Sequence, residues 1–337
     1  MIRVGLIGCG FISGLHLDAY ERLRAAGRNV EVAGVADVRG NLAAAMGRKY
    51  AIDNVETDYR HLLDDSSIRA VDVCAPSPAH REIAVAAAEA GKHVFLEKPI
   101  ALNLDDADAI ICACERAGVT LMVGQSHRFE AVNQEVKCMV DSGEIGTPWY
   151  ASSTIVEGYF WPGAWEAWQI NPEQSGGNLV QNGVHEIDFY CGLFEEVPTR
   201  IFVRGRRLGS SHLDTFDYWH MVLSFESGRT ALSTYSYSIV PPDAAFRAIY
   251  VLGSEGEGRY DSTSNGTLWR SAGATNAATL EPQQFYLELG AFLESVEAGT
   301  VPVVTPSQAR LALELALVAE RSARSGEPID LPERSYG

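Results

Sequence analysis

Short apolar runs and amphipathic stretches alternate along the first third of the chain. Arg3 to Ile7 is apolar and loosely alternating, and Leu15 to Leu23 then carries a helical period. Val30 to Ala36 reads as a second buried strand. The alternation continues with a strand at Ala70–Cys74, a helix at His80–Ala90, a strand at His93–Leu96, a helix at Leu104–Ala117 and a strand at Thr120–Gly124. Gly91 and Gly118 fall where helix carboxyl caps belong. Repeated strand-then-helix units predict an α/β, doubly wound parallel sheet with right-handed crossovers, the Rossmann arrangement, in a domain over residues 1–124.

From Ala131 the pattern changes. A helix over Asn133–Ser142 ends at Gly143, and a strand follows Gly146-Thr147-Pro148 to about Glu157. Alternating segments at Thr199–Arg207, Asp217–Phe225, Arg229–Ser238 and Phe246–Gly253 are joined by short links, with Glu226-Ser227-Gly228 a hairpin turn. This predicts an α+β second domain over residues 125–337, built on a large, mostly antiparallel open sheet. Helices that include Leu179–Phe194 should cover one face. Two amphipathic helices, Phe285–Ala298 and Pro306–Ser325, close the chain in structural roles.

Composition narrows the partners. The 337 residues suffice for two sizeable cores, with 46% hydrophobic and 21% charged residues. A net charge of −17 repels polyanions on average, so nucleic acid and anionic membrane surfaces are disfavoured. The first residues do not resemble a signal peptide, and no apolar run approaches the roughly 20 residues that span a bilayer. The six cysteines are scattered without metal-site spacing, which fits reduced thiols, a cytoplasmic location and no metal.

Two stretches carry chemistry. Gly8-Cys9-Gly10-Phe11-Ile12-Ser13-Gly14 lies between a strand and a helix, the context in which a glycine-rich turn lets backbone approach a pyrophosphate. Asp37, 23 residues past Gly14, ends the next strand and is placed to accept both hydroxyls of an adenosine ribose. It favours NAD over NADP, and Arg39 partly offsets that preference. Glu97-Lys98-Pro99 follows the apolar run His93–Leu96, and the carboxyl end of such a strand is where α/β sheets bind ligands. The chain has four lysines against twenty-three arginines, so a lysine here points to an ammonium that can exchange a proton. Position alone leaves open a surface lysine before a proline-initiated turn.

Taken in order, these segments resemble the Gfo/Idh/MocA family of NAD(P)-dependent oxidoreductases, which include sugar and inositol dehydrogenases. Gly8 to His16 is similar to the family's glycine loop with its trailing histidine. Ala75-Pro76-Ser77-Pro78-Ala79-His80 is similar to its T-P-N-x-x-H segment near the nicotinamide, Glu97-Lys98-Pro99 is its signature tripeptide, and Gly124 to Phe129 matches the crossing into the second domain. The resemblance implies cofactor contacts from Gly8, Gly10, Phe11, Ile12, Asp37, Arg39, Ala75, Pro76, Ser77, His80, Glu97 and Lys98. It also implies that Lys98 lies beside the nicotinamide, that His185 is the catalytic histidine of a G-G-x-x-x-D-x-G-x-H pattern, and that the second sheet pairs subunits into a homodimer or homotetramer.

One departure matters: the family's acid four residues before that histidine is Gln181 here. An amide binds a hydroxyl but takes no proton, so Lys98 and His185 are left with the proton work and Gln181 with positioning. On an α-helix Gln181, His185 and Asp188 would share a face. The aromatic stretch Tyr159 to Trp168 offers a platform for a sugar, with Trp168 foremost and Glu157, Arg128 and Asn171 binding hydroxyls; a hydrophobic loop packed on the sheet is the other reading. The expectation is an NAD-dependent oxidoreductase acting on a secondary alcohol or ketone of a sugar, cyclitol or related polyol. Two alternatives remain: an NAD-retaining enzyme that oxidises a sugar transiently for elimination or glycoside cleavage, and a non-catalytic cofactor-dependent sensor.

Overall fold

The computed structural model describes residues 1–158, 168–209, 214–239, 245–263, 268–270, 273–275 and 283–336. One compact unit holds Met1–Ser126 with Gln284–Leu313, the other His127–Gln283 with Glu314–Gly337. The expected uninterrupted domain over 125–337 does not describe this grouping. Helix Gln284–Ala298 packs in the first unit, where Phe292 meets Phe95 edge-on at 5.6 Å and Phe285 lies 5.3 Å from the His16 ring. Its hydrophobic period identified a helix without saying which surface it would cover. Phe95 and Phe292 are wholly buried; each burial stabilises by about 2 kcal/mol.

The first unit runs β1 (Ile2–Ile7), α1 (Phe11–Ala25), β2 (Val30–Ala36), α2 (Gly40–Tyr50), β3 (Val55–Glu56), α3 (Arg60–Asp64), β4 (Ala70–Val73), α4 (His80–Glu89), β5 (His93–Glu97), α5 (Leu104–Ala117) and β6 (Leu121–Gly124). The strands form one sheet in the order β3-β2-β1-β4-β5-β6, with every pairing parallel. Strands covered on both faces must be apolar along their length. Val71, Val73, Val94, Phe95 and Leu96 meet that demand. Strand order reverses between β1 and β4, which opens the crevice where doubly wound sheets take ligands. Helix α5 starts on Asn103, whose side chain accepts from the Asp106 N–H at 2.9 Å, and ends on Gly118 at φ 65°.

The second unit contains α6 (Ala131–Asp141), β7 (Pro148–Gly158), α7 (Pro172–Ser175), α8 (Val184–Phe194), β8 (Pro198–Arg206), β9 (Tyr218–Phe225), β10 (Thr230–Ile239), β11 (Phe246–Gly253), β12 (Glu257–Asp261), β13 (Leu268–Arg270), β14 (Gly273–Thr275) and β15 (Ile329–Asp330). Its nine strands follow the order β14-β13-β12-β11-β7-β10-β9-β8-β15 and are antiparallel except where β10 lies beside β7. Alternation decides the faces: in β9 Trp219, Met221 and Leu223 are buried, while Tyr218 and Val222 are half-buried and His220 is exposed. The last short strands escaped the sequence because segments of two to five residues carry too few alternations.

The helix expected over Leu179–Phe194 divides in two. A π-helical turn over Leu179–Gly183 precedes α8, so the α-helical spacing assumed between Gln181 and His185 does not apply. Helix α8 is buried on nearly every side. No helix among the described residues is long and apolar enough to cross a membrane.

Candidate active site

In the first unit the expected cofactor residues collect at the carboxyl ends of β1, β2, β4 and β5. Gly8 adopts φ +95°, and a Cβ there would stand 2.7 Å from the Ala75 nitrogen, so the close approach of β1 to β4 requires glycine. Gly10 differs: a Cβ on it would meet no protein atom within 4 Å. The open space lies at the amino terminus of α1, whose N–H groups and dipole suit a pyrophosphate. Ser13 donates to the Gly10 carbonyl at 2.6 Å and pins the turn, while Phe11 stands half exposed at the helix start.

Asp37 lies across the glycine loop. Its carboxylate accepts from the Cys9 N–H at 2.8 Å and from the Arg39 N–H at 2.8 Å, and the Arg39 Nε lies 3.2 Å away. Burial opposes ionisation, but these donors outweigh it and hold the carboxyl below its ordinary range. Ser77 is 3% exposed, and its hydroxyl has no hydrogen-bond partner among the described residues. A cradle that only glycine leaves open, an ionised acid at the end of β2 and an orphaned hydroxyl fit a dinucleotide.

His80 ties the loop after β4 to the turn after β5. Its Nδ1 lies 2.9 Å from the Pro99 carbonyl and its Nε2 3.0 Å from the Ala75 carbonyl, while burial pushes its basicity down. The Lys98–Pro99 bond is cis. Glu97 turns inward, accepting from the Lys98 N–H at 3.1 Å, with its other oxygen 3.2 Å from His16 Nε2.

In the second unit His185, 6% exposed, stacks on His127 with ring centroids 4.2 Å apart. His127 Nδ1 lies 3.1 Å from Glu186 Oε1, and the other Glu186 oxygen accepts from Ser153 and from Ser233 at 3.1 Å. Burial resists the charge on Glu186, yet His127 and Ser153 hold its carboxyl below the ordinary range. Ser153 and Ser233 are register partners on the helix-covered face of the sheet. His127 and Glu186 were not anticipated. The signal for the serines was polar residues at inward positions of two strands, and Glu186 follows His185 directly.

The remaining candidates separate. Gln181 is buried, at 4% exposure, and Asn182 is committed to the Asn178 side chain at 2.7 Å. Arg128 grips Asp188 through Nε and Nη2, the latter at 2.6 Å, and its Nη2 also donates to the Tyr336 hydroxyl at 3.0 Å. Asn171 caps α7, accepting from the Glu173 N–H at 3.0 Å. Glu157 accepts from the Tyr235 hydroxyl at 3.0 Å, and burial raises its carboxyl above the ordinary range. Trp168 is half-buried in a short 3-10 turn; Tyr159, Trp161 and Trp165 lie outside the described residues.

The family described as an oxidoreductase family with an NAD-binding Rossmann fold matches residues 2–125, and its GFO/IDH/MocA C-terminal domain matches 133–259. The myo-inositol 2-dehydrogenase of Thermotoga maritima is 28% identical over 98% of this chain and 99% of its own. The scyllo-inositol 2-dehydrogenase (NAD(+)) of Bacillus subtilis is 27% identical over 99% and 98%. Among solved structures, a probable dehydrogenase from Thermotoga maritima superposes with a TM-score of 0.85 at 26% identity, covering 98% of each chain. With both halves matched in order, the chain belongs to the Gfo/Idh/MocA family of NAD-binding oxidoreductases.

Proposed function

We propose that this dehydrogenase exchanges hydride between NAD and a secondary hydroxyl of a sugar, cyclitol or related polyol, with Lys98 and His185 managing the proton and Gln181 holding a hydroxyl. The observation that carries the reading is Lys98 at the carboxyl end of β5, in the sheet whose β1 and β2 ends bear the open Gly10 turn and Asp37. The names of full-length relatives as inositol dehydrogenases support the substrate class.

When bound, NAD supplies the hydride acceptor. The substrate hydroxyl then has a proton to lose, and an ammonium bonded to its oxygen stabilises alkoxide character as the C–H bond breaks. An imidazole at His185 can take that proton on. Gln181 donates and accepts without changing charge, so it fixes which hydroxyl is presented. The contacts of Arg128 and Asn171 with Asp188 and Glu173 favour structural work over substrate binding.

We also infer self-association through the outer face of the second sheet. Phe202, Val222, Leu232, Ser152 and Tyr250 fall in one row across β8, β9, β10, β7 and β11, and all are half-buried, with Ser152 the one small polar member. A mostly apolar row of this kind suits a second copy, and light scattering measures the outcome.

The test of activity is a panel of inositols, aldoses and polyols with NAD or NADP, followed at the NADH absorbance. Lys98→Met should bind NADH normally and lose turnover by about 10²-fold or more. Undiminished turnover would overturn the assignment.

A further inference from the structure

A group of titratable side chains lies buried inside the first unit and reaches the backbone of Lys98 through Glu97. His16 and Asp72 are 0% exposed. The His16 Nδ1 lies 2.9 Å from one Asp72 oxygen and 3.2 Å from the other, while its Nε2 lies 3.2 Å from Glu97 Oε1. The second Glu97 oxygen accepts from the Lys98 N–H. Nδ1 is thus hydrogen-bonded to Asp72, while Nε2 makes an ion-pair contact with Glu97 outside hydrogen-bonding geometry, and a charge on the ring is favoured by both carboxylates.

We propose that Asp72, His16 and Glu97 form a buried charge chain that positions Lys98 and keeps its amine in the ammonium form. The inference rests on reading Lys98 as the proton-handling group.

Three observations support the chain. Burial works against a charged His16, yet Asp72 outweighs it and the ring's basicity rises well above the ordinary value. Burial likewise opposes the charge on Glu97, but His16 first and Lys98 second hold that carboxyl below its usual range. Coulombic coupling is reciprocal, so a Glu97 carboxylate stabilised by the Lys98 ammonium stabilises that ammonium in turn. His16 is also clamped by rings: Phe95 lies edge-on at 5.6 Å and Phe285 at 5.3 Å.

The surrounding groups do not supply the same effect. Cys74 Sγ lies 3.4 Å from both His16 Nδ1 and Asp72, and burial pushes its thiol far up, so it stays neutral. Tyr20 on α1 is likewise held neutral by burial. Glu288 on helix Gln284–Ala298 is buried near Tyr20, and His80 senses Glu97 from α4. Donor atoms of His16, Asp72 and Cys74 lie within 4.8 Å of one another. The 2.9 Å spacing of the imidazole and carboxylate is a hydrogen bond's; two ligands around zinc stand about 3.3 Å apart.

With only Lys49, Lys92, Lys98 and Lys137 in the chain, ¹³C-lysine labelling of the full-length protein gives a readable NMR spectrum. Lys98→Met assigns the signal. Glu97→Gln, with circular dichroism and thermal unfolding as folding controls, should lower the Lys98 titration midpoint by about one pH unit. His16→Gln should lower it in the same direction, because Glu97 then takes up a proton, and it carries the test should the first variant not fold. Midpoints equal to wild type in a folded variant, or one equivalent of zinc retained through chelator dialysis, would overturn the proposal. Undiminished turnover of Lys98→Met overturns the functional reading instead and leaves the NMR result to stand alone.

Discussion

The imidazole of His127 lies flat on that of His185, with centroids 4.2 Å apart and planes 12° from parallel. His127 is held from the other side by Glu186. The catalytic candidate is thus braced by a ring from the segment that opens the second unit. His127→Phe should keep the stack and lose the Glu186 bond, costing about 2 kcal/mol in urea unfolding. His127→Ala should also lower kcat/KM about fivefold relative to the Phe variant, the equivalent of about 1 kcal/mol of ring contact.

Arg128 and Asp188 form a forked ion pair with side chains 16% and 3% exposed. Removing one partner of a buried pair strands the other. Asp188→Ala should therefore cost about 3 kcal/mol of stability, measured by chemical denaturation. Arg128→Lys should not restore it, since an ammonium cannot make the forked contact. An Arg128→Lys protein of normal stability but raised KM would return Arg128 to substrate binding.

Gly8 and Gly10 separate folding from binding. Gly8→Ala forces a Cβ to 2.7 Å from the Ala75 nitrogen at φ +95° and should yield little folded protein. Gly10→Ala meets no protein atom. It should fold with an unchanged Tm and lose NADH affinity by about tenfold or more, read by fluorescence titration.

Glu157 gives the second unit a pH dependence. Burial raises its folded carboxyl above the unfolded value. Its contribution to stability is full below the ordinary carboxyl range and is lost as pH rises through the raised value. Glu157→Gln keeps an acceptor for Tyr235 and has no charge to bury. The Tm of the variant relative to wild type should thus increase between pH 5 and pH 8, and a constant difference would contradict the assignment.

Much of the first unit was legible because its strands are buried on both faces and must be apolar, while its turns are punctuated by glycine. Glu97-Lys98-Pro99 could be placed at a strand end for the same reason. The second sheet was legible where alternation ran for eight or more residues, as in β9 and β10. It was lost where strands shortened to two or three residues.

Local pattern by itself determined which elements form and which loops are glycine-dependent, because both follow from period, burial and φ at single positions. Only tertiary structure decided what each polar side chain meets. Arg128 and Asp188 stand sixty residues apart, and His16, Asp72 and Glu97 come from α1, β4 and β5. Such partnerships depend on the order of strands in a sheet, which no spacing along the chain encodes. The division of Leu179–Phe194 into a π turn and a helix is of the same kind, since hydrogen-bond register within a buried helix answers to the packing around it.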